Sequence, residues 1–299
     1  MNSLGRRSFL IGSGALALAA CGSSATKSGA PSGTSGTGAS SGTIPKPPAD
    51  GYTLAQRFSQ DVIVPGTPRL PFSLASKQAL LSDGPPVLNG KILAADHKTV
   101  VVPAISAKLR RVTEGIMYYD FHPTLNDIGT YYLVVDGGTA DGGAISVNDP
   151  GSVFVPYPGK QLPPFDTPTT KDPRGVNPIC TRLTGGPCPF HDVTLTDALK
   201  SGKPVAYIVG TPAHCQFGTC APGLEFLINA AKRIGDKIVF VHSEVYTDDK
   251  AVTPTAAVEA YNLTFEPSLF LADKTGLIKA RLDAAFDQSE LDETLATLS

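Results

Sequence analysis

The sequence predicts two folded parts of different class: an all-β sandwich over residues 51–165, then an α/β domain over residues 170–299. Three observations carry this. From 51 to 165 the apolar residues come in short alternating runs, broken repeatedly by Gly, Pro, Asn and Asp, which is the pattern of many short strands. Beyond residue 200 the pattern changes to continuous apolar stretches within 204–209 and 237–241, the second opening on Lys237, as strands buried on both faces require. Between those runs Leu224, Leu227, Ile228, Ala231 and Ile234 recur at helical spacing, with Gly235 placed just past the end.

The 299 residues suffice for both parts once an N-terminal tail is set aside. Residues 1–20 read as a signal peptide: Arg6-Arg7, then Phe9-Leu10 and an apolar run to Ala20 that is too short to span a membrane. The arginine pair resembles a Tat-type export signal, with an ordinary Sec signal as the alternative. Leu18-Ala19-Ala20-Cys21 resembles a lipobox, which implies that Cys21 is lipidated and that the chain sits on the outer side of the cell membrane, an oxidising compartment. Cys21→Ser is then expected to release the protein into the soluble fraction; a variant that stays with the membrane would remove the anchor assignment. Residues 21–50 are mostly Gly, Ser, Thr, Ala and Pro, and form a flexible tether that cannot build a core. A formal net charge of -2 gives no electrostatic footing for nucleic-acid binding.

In the all-β part, 62–64, 69–73, 99–102, 115–121 and 131–135 are expected as strands. The segment Asp127-Ile128-Gly129-Thr130-Tyr131 resembles the tyrosine corner of immunoglobulin-like domains, in which a Tyr hydroxyl ties a loop to a strand start. The resemblance implies an Ig-like sandwich, although Leu133 stands where antibody-type domains place a Cys, and the chain has no Trp. His97 and His122 are isolated and read as surface or locally hydrogen-bonded residues. The part is expected to act as a spacer or partner-docking module.

In the α/β part, a short helix over 195–200 leads into the strand 204–209, which runs directly into Gly210-Thr-Pro-Ala-His-Cys215-Gln-Phe-Gly-Thr-Cys220. A helix, the strand 237–241, a helix over 253–261, a hairpin of 267–272 with 277–282, and a last helix over 289–298 follow. A cysteine pair at a strand-to-helix handover, with Pro267 opening the next sheet segment, resembles the TlpA/thioredoxin superfamily. The stretch through Cys180, Cys188, His191, Cys215 and Cys220 is similar to thioredoxin-like lipoproteins of actinobacteria. The resemblance implies a thioredoxin-like fold for the last third of the chain and a thiol–disulfide oxidoreductase acting on exported proteins. In that pattern Cys215 attacks, Cys220 resolves and Pro267 packs beside the pair. The sequence departs from the family in having four residues between the cysteines rather than two, and His214 where a Trp is usual.

A Cys215–Cys220 bond needs Cα atoms within about 7 Å, which residues five apart on one helix do not offer. Cys215 is therefore expected in a loop that Gly218 bends, with Cys220 in the first turn of the helix and Pro222 tolerated there. A thiolate at this place gains from the helix N-terminus and from His214 as a neighbouring cation. Cys180 and Cys188 flank Gly185-Gly186 and are expected as a small-loop disulfide; metal binding by the two with His191 fits no common zinc spacing. No cofactor is required. Two further readings stay open: a Sco-like copper-binding chaperone using Cys215, Cys220 and His242, and a non-catalytic envelope module whose disulfides are structural. The expected partners are exported protein thiols or disulfides, or a membrane redox partner.

Overall fold

The computed structural model describes residues 46–77 and 79–298; the expected signal peptide, Cys21 and most of the expected tether lie outside them. The first half forms seven strands: β1 (Thr53–Gln56), β2 (Leu70–Ala75), β3 (Val87–Ala94), β4 (Val100–Thr113), β5 (Ile116–Phe121), β6 (Gly129–Val135) and β7 (Gly143–Val147). They make one antiparallel sheet in the order β1-β2-β5-β4-β3-β6-β7. Where the sequence predicts two packed sheets, the strands form this single sheet, and the length of β4 is the reason. Its first stretch pairs with β3, from Leu93↔Val100 to Val87↔Lys108, and its last pairs with β5, from Leu109↔Tyr119 to Thr113↔Ile116. The sheet therefore curls through β4 until its two edges approach, and the side-chain amide of Gln56 on β1 donates to the Ala144 carbonyl on β7. Leu70, Phe72, Leu88, Ile92, Leu133 and Ile145 fill the space inside; each such side chain contributes roughly 1.5–3 kcal/mol by leaving water.

Residues 62–64 are not a strand. Gln60–Val62 forms a 3-10 turn, and Val62 and Ile63 are buried in the core. Gln60 meets β7 through its side chain instead of its backbone: its Nε2 donates to Ala144 O at 2.9 Å, and its Oε1 accepts from Ser146 N at 2.6 Å. An amide side chain thus satisfies polar groups on the β7 edge. The Tyr131 hydroxyl donates to the Asp127 carbonyl at 2.9 Å, the tie that its sequence context predicts.

The second half contains α1 (Leu195–Lys200), β8 (Val205–Val209), α2 (Cys220–Ile234), β9 (Val239–Ser243), α3 (Ala256–Ala260), β10 (Ser268–Ala272), β11 (Ile278–Asp283) and α4 (Gln288–Leu295). Its sheet has the order β11-β10-β8-β9, with β8 and β9 parallel and the other pairs antiparallel. A βαβ unit, a short helix, a hairpin and a closing helix follow one another in the order expected from the sequence. Alternation along β8 shows why its apolar run is unbroken. Val205, Tyr207 and Val209 face the core shared with the seven-stranded sheet, while Ala206 and Ile208 face α2 and α4. Among the described residues no helix is long and apolar enough to cross a membrane.

The two halves meet through buried charges. Arg69, just before β2, is bidentate to Glu290 on α4 and also donates to the carbonyls of Asp283 and Ala285. Tyr118 Oη donates to the same Glu290 and accepts from Asp287 N at 2.8 Å. Arg110 bonds Asp120 at 2.9 Å within the sheet and Ser289 at 2.9 Å at the start of α4. Each of these buried charges is paired; removing one partner of such a set typically costs about 3–5 kcal/mol. Near α2, Val112 and Tyr118 pack with Ala285, with Ile116 and Phe226 against them. The β-rich half thereby supports the helix that carries Cys220.

Candidate functional site: a cysteine pair at the start of a helix

β8 ends at Val209, and the backbone turns through residues 210–219 before α2 begins at Cys220. Gly218 has φ +67 and donates its N–H to Cys215 O at 3.2 Å, so the chain bends back where a side chain would be strained. The bend brings the Cα atoms of Cys215 and Cys220 to 5.9 Å, and the two sulfurs are bonded. The two cysteines differ in access. Cys220 is 1% exposed, whereas Cys215 is half-buried and reachable. The Cys220 amide, an unpaired N–H of the first helical turn, donates to Cys215 Sγ at 3.3 Å. The accessible sulfur is thus the one held against the positive end of a 15-residue helix.

The buried sulfur has a different neighbour. Cys220 Sγ lies 3.4 Å from Glu266 Oε2, and the same oxygen accepts from Thr211 N at 2.7 Å. Burial pushes the Glu266 carboxyl up to about 7; the Thr211 amide opposes that shift without cancelling it, and the nearby Glu244 adds to it. Glu266 precedes Pro267 through a cis peptide bond. A Cβ on Gly210 would stand 3.3 Å from Pro267 Cβ and 3.7 Å from Cys220 Sγ, so Gly210, Pro267 and the buried sulfur meet at one point. His214 packs edge-on against Tyr246, with ring centroids 6.3 Å apart, and its buried Nε2 has no hydrogen-bond partner. The polar contact to Cys215 Sγ comes from the Cys220 amide.

Cys180 and Cys188 differ from the sequence expectation: both are free and buried, with no bond between them. Their sulfurs face two histidines instead. Cys188 Sγ is 3.3 Å from His191 Nε2 and 3.4 Å from His242 Nδ1, and Cys180 Sγ is 3.8 Å from His242 Nδ1. Hydrogen bonding between the two thiols stabilises a thiolate at Cys180, lowering its pKa, and raises that of Cys188. For His242, burial favours the neutral ring, but hydrogen bonding to Cys180 and the charge of Glu244 outweigh it and raise the pKa. The copper set Cys215, Cys220 and His242 is consequently not assembled. Glu266 is the ligand-bearing group that stands with the bonded pair, and His242 belongs to the cluster with Cys180, Cys188 and His191.

Sequence reasoning missed Glu266, Thr211 and Gly210 as parts of this site. The one visible signal was a carboxylate immediately before the proline that opens a buried strand. No family model matches the chain, and no curated protein matches it. Among solved structures the chain aligns with a thiol:disulfide interchange protein of the thioredoxin family from Chlorobium tepidum TLS, at 14% identity and TM-score 0.34, covering 48% of this chain and 97% of that one. It also aligns with a DsbF homologue from Corynebacterium diphtheriae, at 16% identity and TM-score 0.34, covering 50% of this chain and 97% of that one.

Proposed function

We propose that the protein is a thiol–disulfide oxidoreductase that acts on exported proteins through Cys215 and Cys220, held at the outer face of the membrane by a lipid on Cys21. The observation that carries the redox part is the asymmetry of the pair: an accessible sulfur held by a helix N-terminal amide and a buried sulfur beside a carboxyl with a pKa near 7. The first arrangement favours a nucleophilic thiolate and the second a proton acceptor.

In the dithiol form the Cys215 thiolate attacks one sulfur of a substrate disulfide. The substrate S–S bond breaks, a mixed disulfide to Cys215 forms, and the departing thiolate takes a proton from water. The Cys220 thiol then gives its proton to the Glu266 carboxylate and attacks Cys215 Sγ. The second substrate thiolate leaves and is protonated in turn. Two electrons pass to the substrate, and the chain ends with its Cys215–Cys220 bond formed. The same steps in reverse oxidise a substrate dithiol, with Glu266 returning the proton to Cys220. Pro267, which is buried, packs at the point where Gly210 and the buried sulfur meet, and in this reading it helps hold the loop against which a substrate strand would lie.

The reading is tested by mixing the purified full chain, in its dithiol form, with excess peptide disulfide and following exchange in a single turnover. Exchange much faster than that of free cysteine at the same pH is expected. A rate no greater than free cysteine's would remove the catalytic reading.

A further inference from the structure

We propose that Cys180, Cys188, His191 and His242 form a closed, four-coordinate metal centre that takes Zn2+. The four ligand atoms, two thiol sulfurs, His191 Nε2 and His242 Nδ1, all lie within 4.8 Å of one another. With Zn–S near 2.3 Å and Zn–N near 2.0 Å, a tetrahedral site has edges of roughly 3.3–3.8 Å. Four of the six edges are close to this: 3.2 Å between the two ring nitrogens, 3.3 and 3.4 Å from Cys188 Sγ to them, and 3.8 Å from Cys180 Sγ to His242 Nδ1, and the other two are at most 4.8 Å. Four ligand atoms gathered this closely need only small side-chain shifts to close on one ion.

The tautomer of one ligand is already set. His242 Nε2 is 2.9 Å from Gly210 O, an acceptor only, so this nitrogen carries the proton and Nδ1 presents its lone pair to the cluster. Charge and burial agree. Cys180, Cys188, His191 and His242 are 8%, 4%, 1% and 1% exposed, and the two cysteines belong to a core cluster with Phe190 and Phe240. Zn2+ with two thiolates and two neutral imidazoles is electrically neutral, which an apolar core accepts at least cost. With all four ligands buried, no position is left for a water or substrate, so the centre is structural. Two sulfurs and two imidazoles in a tetrahedron suit a d10 ion rather than the oxygen-seeking Mg2+ or Ca2+.

The location gives the centre a role. Cys180, Cys188 and His191 lie on an irregular strap before α1, and His242 lies on β9. Thr181, next to Cys180, accepts from Ala213 N at 3.2 Å through its Oγ1, and His242 grips Gly210. A metal here staples the strap to the sheet and to the loop that carries Cys215.

Elemental analysis of the purified full chain should find one zinc per chain. Cys180→Ser and His191→Gln should each lose most of it, while the double variant Cys215→Ser/Cys220→Ser keeps it. Should the single variants fail to fold, the wild-type chain reloaded with Co2+ should show thiolate-to-metal charge transfer and the intense visible bands of a tetrahedral site. Its Cys180 and Cys188 should resist alkylation until a chelator is added. A metal-free chain with a mapped Cys180–Cys188 disulfide would overturn the proposal. So would zinc that follows Cys215 and Cys220, or a centre that holds copper and excludes zinc.

Discussion

Replacing Cys215 by Ala is expected to reduce exchange by more than about 1,000-fold, the scale on which loss of an essential nucleophile acts. The reason is access: Cys220 is 1% exposed and no substrate disulfide reaches it, whereas Cys215 is half-buried at the helix end. Cys220→Ala should behave differently. Attack by Cys215 still occurs, but nothing resolves the product, and the chain accumulates as a mixed disulfide with its substrate. Mass spectrometry of the quenched reaction distinguishes the two: free chain for Cys215→Ala, a covalent adduct for Cys220→Ala. Adducts at Cys220 in the Cys215→Ala protein would reverse the assignment of roles.

Glu266→Gln is expected to slow the resolving step by about 100-fold, within the range of general-base effects. It should also remove a pH inflection. Glu266 accepts the Cys220 proton only when ionised, and its pKa lies near 7. The wild-type resolving rate should therefore rise as pH passes through 7 and level off above it, while the Gln variant lacks that rise. Stability moves in the opposite direction. Burial raises the carboxyl from the usual 4.5 to about 7, so between these values the folded chain holds a proton that the unfolded chain has released. Stability present at pH 4.5 is lost as pH rises through 7. The shift corresponds to about 3 kcal/mol at full burial and on the order of 2 kcal/mol for this partly exposed group. Urea unfolding at pH 5 and pH 8 should show that loss in the wild type and a smaller one in Glu266→Gln. A wild-type rate with no inflection near 7 would remove Glu266 as the proton acceptor.

The α/β half was largely legible because each element carries its own signature. The run over 204–209 appears as β8, the stripe from Leu224 to Ile234 as α2 with Gly235 at its end, and Asp273-Lys274-Thr275-Gly276 as the turn between β10 and β11. In the β-rich half, β1, β3 and β7 gave no clear run. Strand β3, for example, mixes Leu88 and Ile92 with Asn89, Gly90 and Lys91, and its pairing with both β4 and β6 makes it a strand. Residues 62–64 show the opposite case, an apolar run that plugs the core from a turn. At the site, Cys215, Cys220 and Pro267 stood out by type and position. Glu266 did not, because its meaning depends on Thr211, 55 residues away, and on Cys220, 46 away. The same holds for Cys180 and Cys188: their spacing suggests a small loop, whereas His242, brought alongside by β9, turns their sulfurs toward two imidazoles.

The most direct test of the redox account is the potential of the pair. The full chain is equilibrated across glutathione buffers, its thiols are trapped, and each cysteine is counted by peptide mapping. The account predicts that Cys215 and Cys220 open together between about -120 and -270 mV, the range of catalytic dithiols. If the pair stays closed until below about -300 mV, as inert structural disulfides do, Cys215 and Cys220 only brace the loop, and the account is contradicted.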